Sequence, residues 1–246
     1  MSGRKRKGQE NTEGAGVPAD GAPVLLRTPL GLALTGNGQT IVPDLSRMLP
    51  RLKTANLREE LLVRAARVKN TGPLRALDAT AGMGEDALLL AAAGFRVDLY
   101  EKDPVIAALL QDALLRAAED DSLRDAVSRM TLHEGDSIAA MKALPPAYDV
   151  VYLDPMFPGR EKSALVKKKF QLIHGLEKPC EDEEELLLTA MALRPAKLIV
   201  KRPMKGAFLA GRKPDYSLKG KAIRYDVFVF AREQNDAPLE EPYEAE

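Results

Sequence analysis

The chain has one cysteine, Cys180, and two histidines, His133 and His174, in 246 residues. A single thiol excludes an intramolecular disulfide and a cysteine-based metal cluster, and two histidines leave little for a His/Cys metal centre. Cys180 stands in an acidic stretch and reads as incidental rather than nucleophilic. Both histidines lack acidic partners at a telling spacing and read as structural. No apolar run approaches the ~18–20 residues of a membrane helix. The basic start, Met1-Ser2-Gly3-Arg4-Lys5-Arg6-Lys7, is followed by no apolar stretch, so it does not read as a signal peptide. Together these features predict a reduced, cytosolic protein. Net charge is missing too, since 36 basic residues balance 36 acidic ones. That balance argues against an indiscriminate binder of polyanions.

What charge there is lies unevenly. Between Arg194 and Arg224 the bases are Arg194, Lys197, Lys201, Arg202, Lys205, Arg212, Lys213, Lys219, Lys221 and Arg224, with Asp215 as the only acid. Lys162 and Lys167-Lys168-Lys169 add to this, while compensating acids gather in Glu181–Glu185 and after Glu233. Such a face suits phosphates; ordinary solvated surface charge is the competing explanation.

Residues 1–21 are polar and rich in Gly, Lys and Glu, the composition of a disordered tail. Residues 22–70 form an expected β-rich extension with a helix. Its strands are Pro23–Arg27, Gly31–Leu34 and Thr40–Val42, its turn is Thr35–Gly38, and its helix runs from Leu57 to Val68 behind Asn56 as N-cap. Residues 71–232 alternate strand and helix, and 233–246 form an acidic tail. The expected strands are Leu74–Ala79, Phe95–Tyr100, Arg129–His133, Ala147–Leu153, Ala196–Lys201 and Ile223–Ala231. The expected helices are Glu85–Ala93, Asp103-Pro104 to about Ala118, Ser137–Ala143 and Glu183–Leu193. This alternation predicts an α/β, mainly parallel, doubly wound sheet of Rossmann-like type. Ligands of such sheets bind at the carboxyl ends of the strands.

The residues just after each strand are therefore the candidates. After the first come Asp78, Gly82, Gly84, Glu85 and Asp86. Two glycines allow a tight turn and close backbone approach. The acids around them would repel a pyrophosphate but suit a zwitterionic, net cationic ligand such as S-adenosylmethionine. After the second strand comes Glu101, an acceptor suited to ribose hydroxyls. After the third come Asp136 and Ser137, either acceptors for an adenine amine or the start of a helix cap. After the fourth comes Asp154-Pro155-Met156-Phe157-Pro158. There Asp154 and nearby carbonyls can accept hydrogen bonds from a planar amine, and Phe157 can stack on the ring that carries it. A plain Asp-Pro turn is the bland alternative. After the fifth come Lys201 and Arg202, placed for phosphate contact.

Taken together, Leu77–Gly84, Tyr152–Pro158, Lys162–Lys168 and Val200–Pro203 resemble the bacterial 16S ribosomal RNA guanine-N2 methyltransferase family, letter J of the small-subunit series. The resemblance covers about residues 74–230. It implies a class I methyltransferase fold, S-adenosyl-L-methionine as cofactor, and 16S rRNA or the small ribosomal subunit as partner. By motif, cofactor contacts would fall on Glu85, Asp86, Glu101, Lys102, Asp136, Ser137 and Asp154. RNA contacts are expected at Lys162, Lys167, Lys168, Lys201 and Arg202. Departures from the family pattern are Lys53–Glu60 without glycine, Glu85-Asp86 in place of Arg-Asp, and Glu101-Lys102 in place of Glu-Arg. Open alternatives are another amino-methyltransferase, an NAD-binding oxidoreductase and a non-catalytic RNA-binding module.

Overall fold

The structure, a computed structural model, describes residues 23–36, 38–69, 72–155 and 182–231. Phe157, Lys162, Lys167, Lys168, His174, Cys180 and both terminal tails fall outside the described residues, and so do the expectations attached to them.

The chain opens with β1 (Val24–Thr28), β2 (Gly31–Gly36) and β3 (Gln39–Ile41), an antiparallel three-stranded sheet. Three short helices follow: α1 (Leu49–Leu52), α2 (Thr54–Glu59) and α3 (Leu61–Ala66). The single helix expected from Leu57 to Val68 is thus broken. Glu60 leaves the helical region at ψ 125 and its carboxylate takes a two-pronged bond from Arg51, at 2.7 and 2.8 Å. Asn56 is not an N-cap; it lies inside α2, and its Nδ2 donates to the Pro50 carbonyl at 2.7 Å.

The second sheet carries β4 (Arg75–Asp78), β5 (Arg96–Glu101), β6 (Met130–Glu134), β7 (Val150–Leu153), β8 (Lys197–Pro203), β9 (Tyr216–Lys219) and β10 (Ile223–Val229). Between them run α4 (Glu85–Ala92), α5 (Pro104–Ala118), α6 (Arg124–Val127), α7 (Ser137–Ala143) and α8 (Glu183–Ala192). The strand order is β6-β5-β4-β7-β8-β10-β9. The first five are parallel, and β10 alone runs against its neighbours β8 and β9. The central strands read as they do because helices cover both faces: all four residues of β7 are buried. Asp103 caps α5 by accepting from the amides of Val105 and Ile106 at 2.8 and 3.1 Å, with Pro104 at the first helical position. On α4, Leu88, Leu89 and Leu90 are all fully buried. Truncating any of them would cost ~2–5 kcal/mol.

Asp112 on α5 fastens the small sheet to the large domain. Although its residue is buried, it pairs with Arg27 of β1, accepts the Leu32 amide at 2.9 Å and accepts Arg116 Nε at 2.8 Å. Arg116 also donates to the Pro43 carbonyl at 2.5 Å. Gly31 is needed there: at φ +124, a side-chain carbon would stand 2.4 Å from Arg116 Nε and 2.7 Å from Asp112. Leu34 packs with Leu109, and Met83 of the loop after β4 packs against the same cluster.

Candidate active site

The chain winds outward from β4 through β5 to β6, then returns to lay β7 on the other side of β4. The crevice at this reversal, beyond the carboxyl ends of β4 and β7, is where such folds bind ligands. Here the two strand ends are stitched together. The Ala79 amide donates to the Tyr152 carbonyl at 3.1 Å, and the Asp154 amide donates to Thr80 Oγ1 at 2.7 Å. Asp154 is half-buried and Pro155 buried, so the acid stands at the rim rather than in solvent.

The loop after β4 turns through Gly82 and Gly84, at φ +52 and +75. Their roles differ. A side-chain carbon on Gly84 would meet Leu110 at 2.7 Å, so this glycine lets the start of α4 come up against Leu110 of α5. One on Gly82 would meet nothing within 4 Å, so that backbone faces open space suited to a ligand. Glu101, buried at the end of β5, fixes the loop from the far side. Its two oxygens accept the amides of Gly82 and Asp103 at 2.8 and 2.9 Å. Burial pushes the Glu101 carboxyl up, against those amides. The Lys102 amide also bonds this carboxylate, which leaves acceptor capacity for one ribose hydroxyl. Asp136 is the N-cap of α7, its Oδ1 accepting from Ile138 and Ala139 at 2.8 and 3.1 Å. Its Oδ2 lies 3.4 Å from the exposed Lys102 ammonium, and Ser137 begins the helix. Glu85 is exposed.

Three carboxylates converge here, two of them below the crevice. Asp78 is 1% exposed, its Oδ1 accepting the Thr80 amide at 3.0 Å. Burial pushes it up to about 8, the charges of Asp86 and Asp154 adding to the effect. It therefore lies buried beneath the loop, where a ligand above would feel its field rather than the direct contact expected of it. Asp86 Oδ2 accepts Tyr152 Oη at 2.6 Å and Lys201 Nζ at 2.6 Å. Lys201 Nζ also stands 2.8 Å from Asp154 Oδ2. Burial alone would lower the Lys201 ammonium, but Asp86 and Asp154 outweigh it and hold it above its ordinary value.

Two expectations for β8 are thereby corrected. Lys201 is spent on two carboxylates rather than presented to phosphates. Arg202, next along the strand, points to the opposite face, is buried, and donates to the Ala207 carbonyl at 2.8 Å. Surface cations at this edge come instead from Lys205 after β8 and from Lys219 and Lys221 around the β9–β10 turn, all exposed. That turn reaches the edge because the Met204 amide donates to the Ala222 carbonyl at 3.1 Å. His133 is also corrected: it does have an acidic partner, Asp98 on the neighbouring strand, at 3.2 Å, and it stacks on Tyr100. Thr80 and Tyr152 escaped the sequence reading. A tyrosine in a strand buried on both faces should have signalled a buried partner for its hydroxyl.

The residues fit S-adenosylmethionine on three counts: open space above Gly82, spare acceptor capacity on Glu101, and an acid-rich floor. With Asp78 protonated, Asp86, Asp154 and Lys201 carry one net negative charge, which complements a cationic ligand. Among the described residues no group of His, Cys, Asp or Glu is arranged to hold a metal ion, and no helix is long and apolar enough to cross a membrane.

Comparison with known proteins agrees. A family model described as a putative SAM-dependent methyltransferase matches residues 37–230. Ribosomal RNA small subunit methyltransferase J of Thioalkalivibrio sulfidiphilus is 41% identical over 217 residues, covering 82% of this chain and 85% of that protein. The protein of the same name from Aeromonas salmonicida is 42% identical over 182 residues, covering 74% and 73%. A solved SAM-dependent methyltransferase from Neisseria gonorrhoeae superposes with a TM-score of 0.70 at 31% identity, covering 91% of this chain and 88% of that one.

Proposed function

From the premise that the chain belongs to the ribosomal RNA small subunit methyltransferase J family and is an S-adenosylmethionine-dependent rRNA methyltransferase, we propose that it methylates the exocyclic N2 amine of a guanine in 16S rRNA. The observation that carries this is the placement of Asp154. Its carboxylate stands at the strand reversal, its amide tied to Thr80 and its Oδ2 to Lys201, beside a loop fitted to the cofactor.

S-adenosylmethionine supplies an activated methyl group, so the protein's task is alignment. A guanine amine is a weak nucleophile because its lone pair is delocalised into the ring. A hydrogen bond from that amine to Asp154 draws the nitrogen into place and leaves its lone pair directed at the methyl carbon. As positive charge builds on the nitrogen, attraction to the carboxylate grows, which stabilises the transition state more than the ground state. The surplus proton then has Asp154 as its nearest acceptor. Phe157, three residues on, is assigned to stack on the base. A paired or stacked guanine must first be extruded, at a cost of a few kcal/mol. Contacts of Lys205, Lys219 and Lys221 with flanking phosphates would offset that cost. The small-subunit RNA is the partner, and the cytoplasm the compartment in which the two meet.

Asp154→Ala tests the assignment. Turnover on small subunits should fall by at least ~100-fold, while S-adenosylhomocysteine still binds. Near-normal turnover would remove Asp154 from the chemistry. Mapping the labelled nucleotide by mass spectrometry of the RNA decides the guanine N2 position.

A further inference from the structure

Lys201 has been claimed above by carboxylates, and the arrangement is directional. Tyr152 Oη donates to Asp86 Oδ2 at 2.6 Å, Lys201 Nζ donates to the same oxygen at 2.6 Å, and Lys201 Nζ reaches Asp154 Oδ2 at 2.8 Å. Tyr152 is 1% exposed, and the side chains of Lys201 and Asp86 are each 17% exposed. The line therefore runs from a fully buried hydroxyl outward to the rim acid, and each member fixes the next. Only Asp154, at 29%, opens appreciably toward the crevice.

We propose that Lys201 is a positioning residue for methyl transfer: anchored on Asp86, its ammonium holds one oxygen of Asp154 so that the other is presented to the target amine. This rests on Asp154 being the acceptor of that amine. A carboxylate that could swing about its Cβ bond would present either oxygen at many angles, and a misplacement of ~1 Å can cost ~100-fold in rate. The ammonium removes that freedom and places a positive charge beside the carboxylate. Phosphate contact is a poor use of the same group: an approaching phosphate would meet Asp86 and Asp154 at the very positions it needs. The charged and titratable groups around the pair are Asp78 from β4, Asp86 from α4, Tyr152 from β7, Tyr225 and Arg51 near Asp86, and Arg202 behind β8. Among these, Lys201 is the cation hydrogen-bonded between Asp86 and Asp154.

The test uses the full chain, with unmethylated small ribosomal subunits as substrate and S-adenosylhomocysteine as the binding probe. Lys201→Met should lower the single-turnover rate on the order of 10- to 100-fold at saturating RNA. It should leave the salt slope of RNA binding unchanged and shift the acid limb of the rate profile to higher pH, because a neighbouring positive charge is gone. Lys201→Arg should restore the acid limb and part of the rate. Asp86→Asn, which keeps an acceptor for Tyr152, should lower the rate less than Lys201→Met does. An unchanged rate and acid limb in Lys201→Met overturn the proposal. So does a weakened, less salt-sensitive RNA affinity with a normal saturating rate, which would make Lys201 a phosphate contact. If Lys201→Met fails to bind the probe, Asp86→Asn decides: a lowered rate with normal probe binding supports the proposal, and a normal rate overturns it. Asp154→Ala, which removes both acceptor oxygens, separates the two levels. If it is near-normal, the acceptor assignment itself falls; if it is inactive while Lys201→Met is unaffected, only the role of Lys201 falls.

Discussion

Replacing Asp78 by asparagine isolates a single proton. The carboxyl is 1% exposed and is pushed up to about 8 by burial, helped by Asp86 and Asp154 and opposed by the Thr80 amide and Lys201. In the unfolded chain it titrates near ~3.9. Between these values the folded protein holds one proton that the unfolded chain has lost. The stability it contributes is therefore fully present below about pH 4 and is lost as pH rises through about 8. The slope is ~1.4 kcal/mol per pH unit, so this group alone removes ~3 kcal/mol between about pH 5.5 and about pH 7.5. Asparagine has the same shape, keeps an oxygen for the Thr80 amide, and does not titrate. Urea unfolding of both proteins at intervals across that range should show the variant gaining ~3 kcal/mol on the parent. Parallel stability curves would refute the reasoning. The same proton has a second readout. A cationic ligand above the loop favours the ionised acid, so cofactor binding near neutral pH should expel a proton from the parent protein. Calorimetry in two buffers of different ionisation enthalpy detects it, and Asp78→Asn should abolish the buffer dependence.

Asp112→Ala should destabilise the fold by ~3–5 kcal/mol, since Arg116 and the Leu32 amide lose a buried charged acceptor and Arg27 loses its ion partner. Chemical unfolding measures the loss, and early proteolysis between β1 and β3 should accompany it. Charge reversal of Lys219 and Lys221 together should raise the apparent Kd for small-subunit RNA and flatten its dependence on salt. An unchanged slope would exclude the β9–β10 turn from phosphate contact.

Much of this architecture was legible because its signals are local. Asp103-Pro104 predicts a helix start from two residues, and the structure shows the cap and the proline in those roles. The strand of β7 is an unbroken apolar run because both of its faces are covered. The break at Glu60 was not legible, since Leu57, Leu61, Leu62 and Ala65 keep a helical stripe across it and Arg51, whose side chain binds Glu60, lies nine residues away. β9 went unrecognised because four residues carry too little alternation to stand out. At the site, the acids and glycines were found where strand ends put them. The link between Asp86, Asp154 and Lys201 was not, because residues 115 apart meet only through the strand order. Strand geometry alone separates Lys201 from Arg202: adjacent strand residues face opposite ways, so the two do not line one rim.

The reversal of β10 has a consequence for how this enzyme can change over time. In a parallel strand, the segment leaving the active edge must return through a helix, so its length is bound to the packing of the whole layer. The β9–β10 turn has no such duty. It is a tip of three residues, Gly220 to Ala222, delivered to the active edge by two strands that pair with each other, with Gly220 close to Leu61 of α3 and Ala222 held by the Met204 amide. Its exposed charges, Lys219 and Lys221, can be exchanged without moving Thr80, Lys201 or Asp154. The part of the rim proposed to meet the RNA is thus set apart from the part proposed to direct methyl transfer, so its charges can change while the chemistry stays fixed.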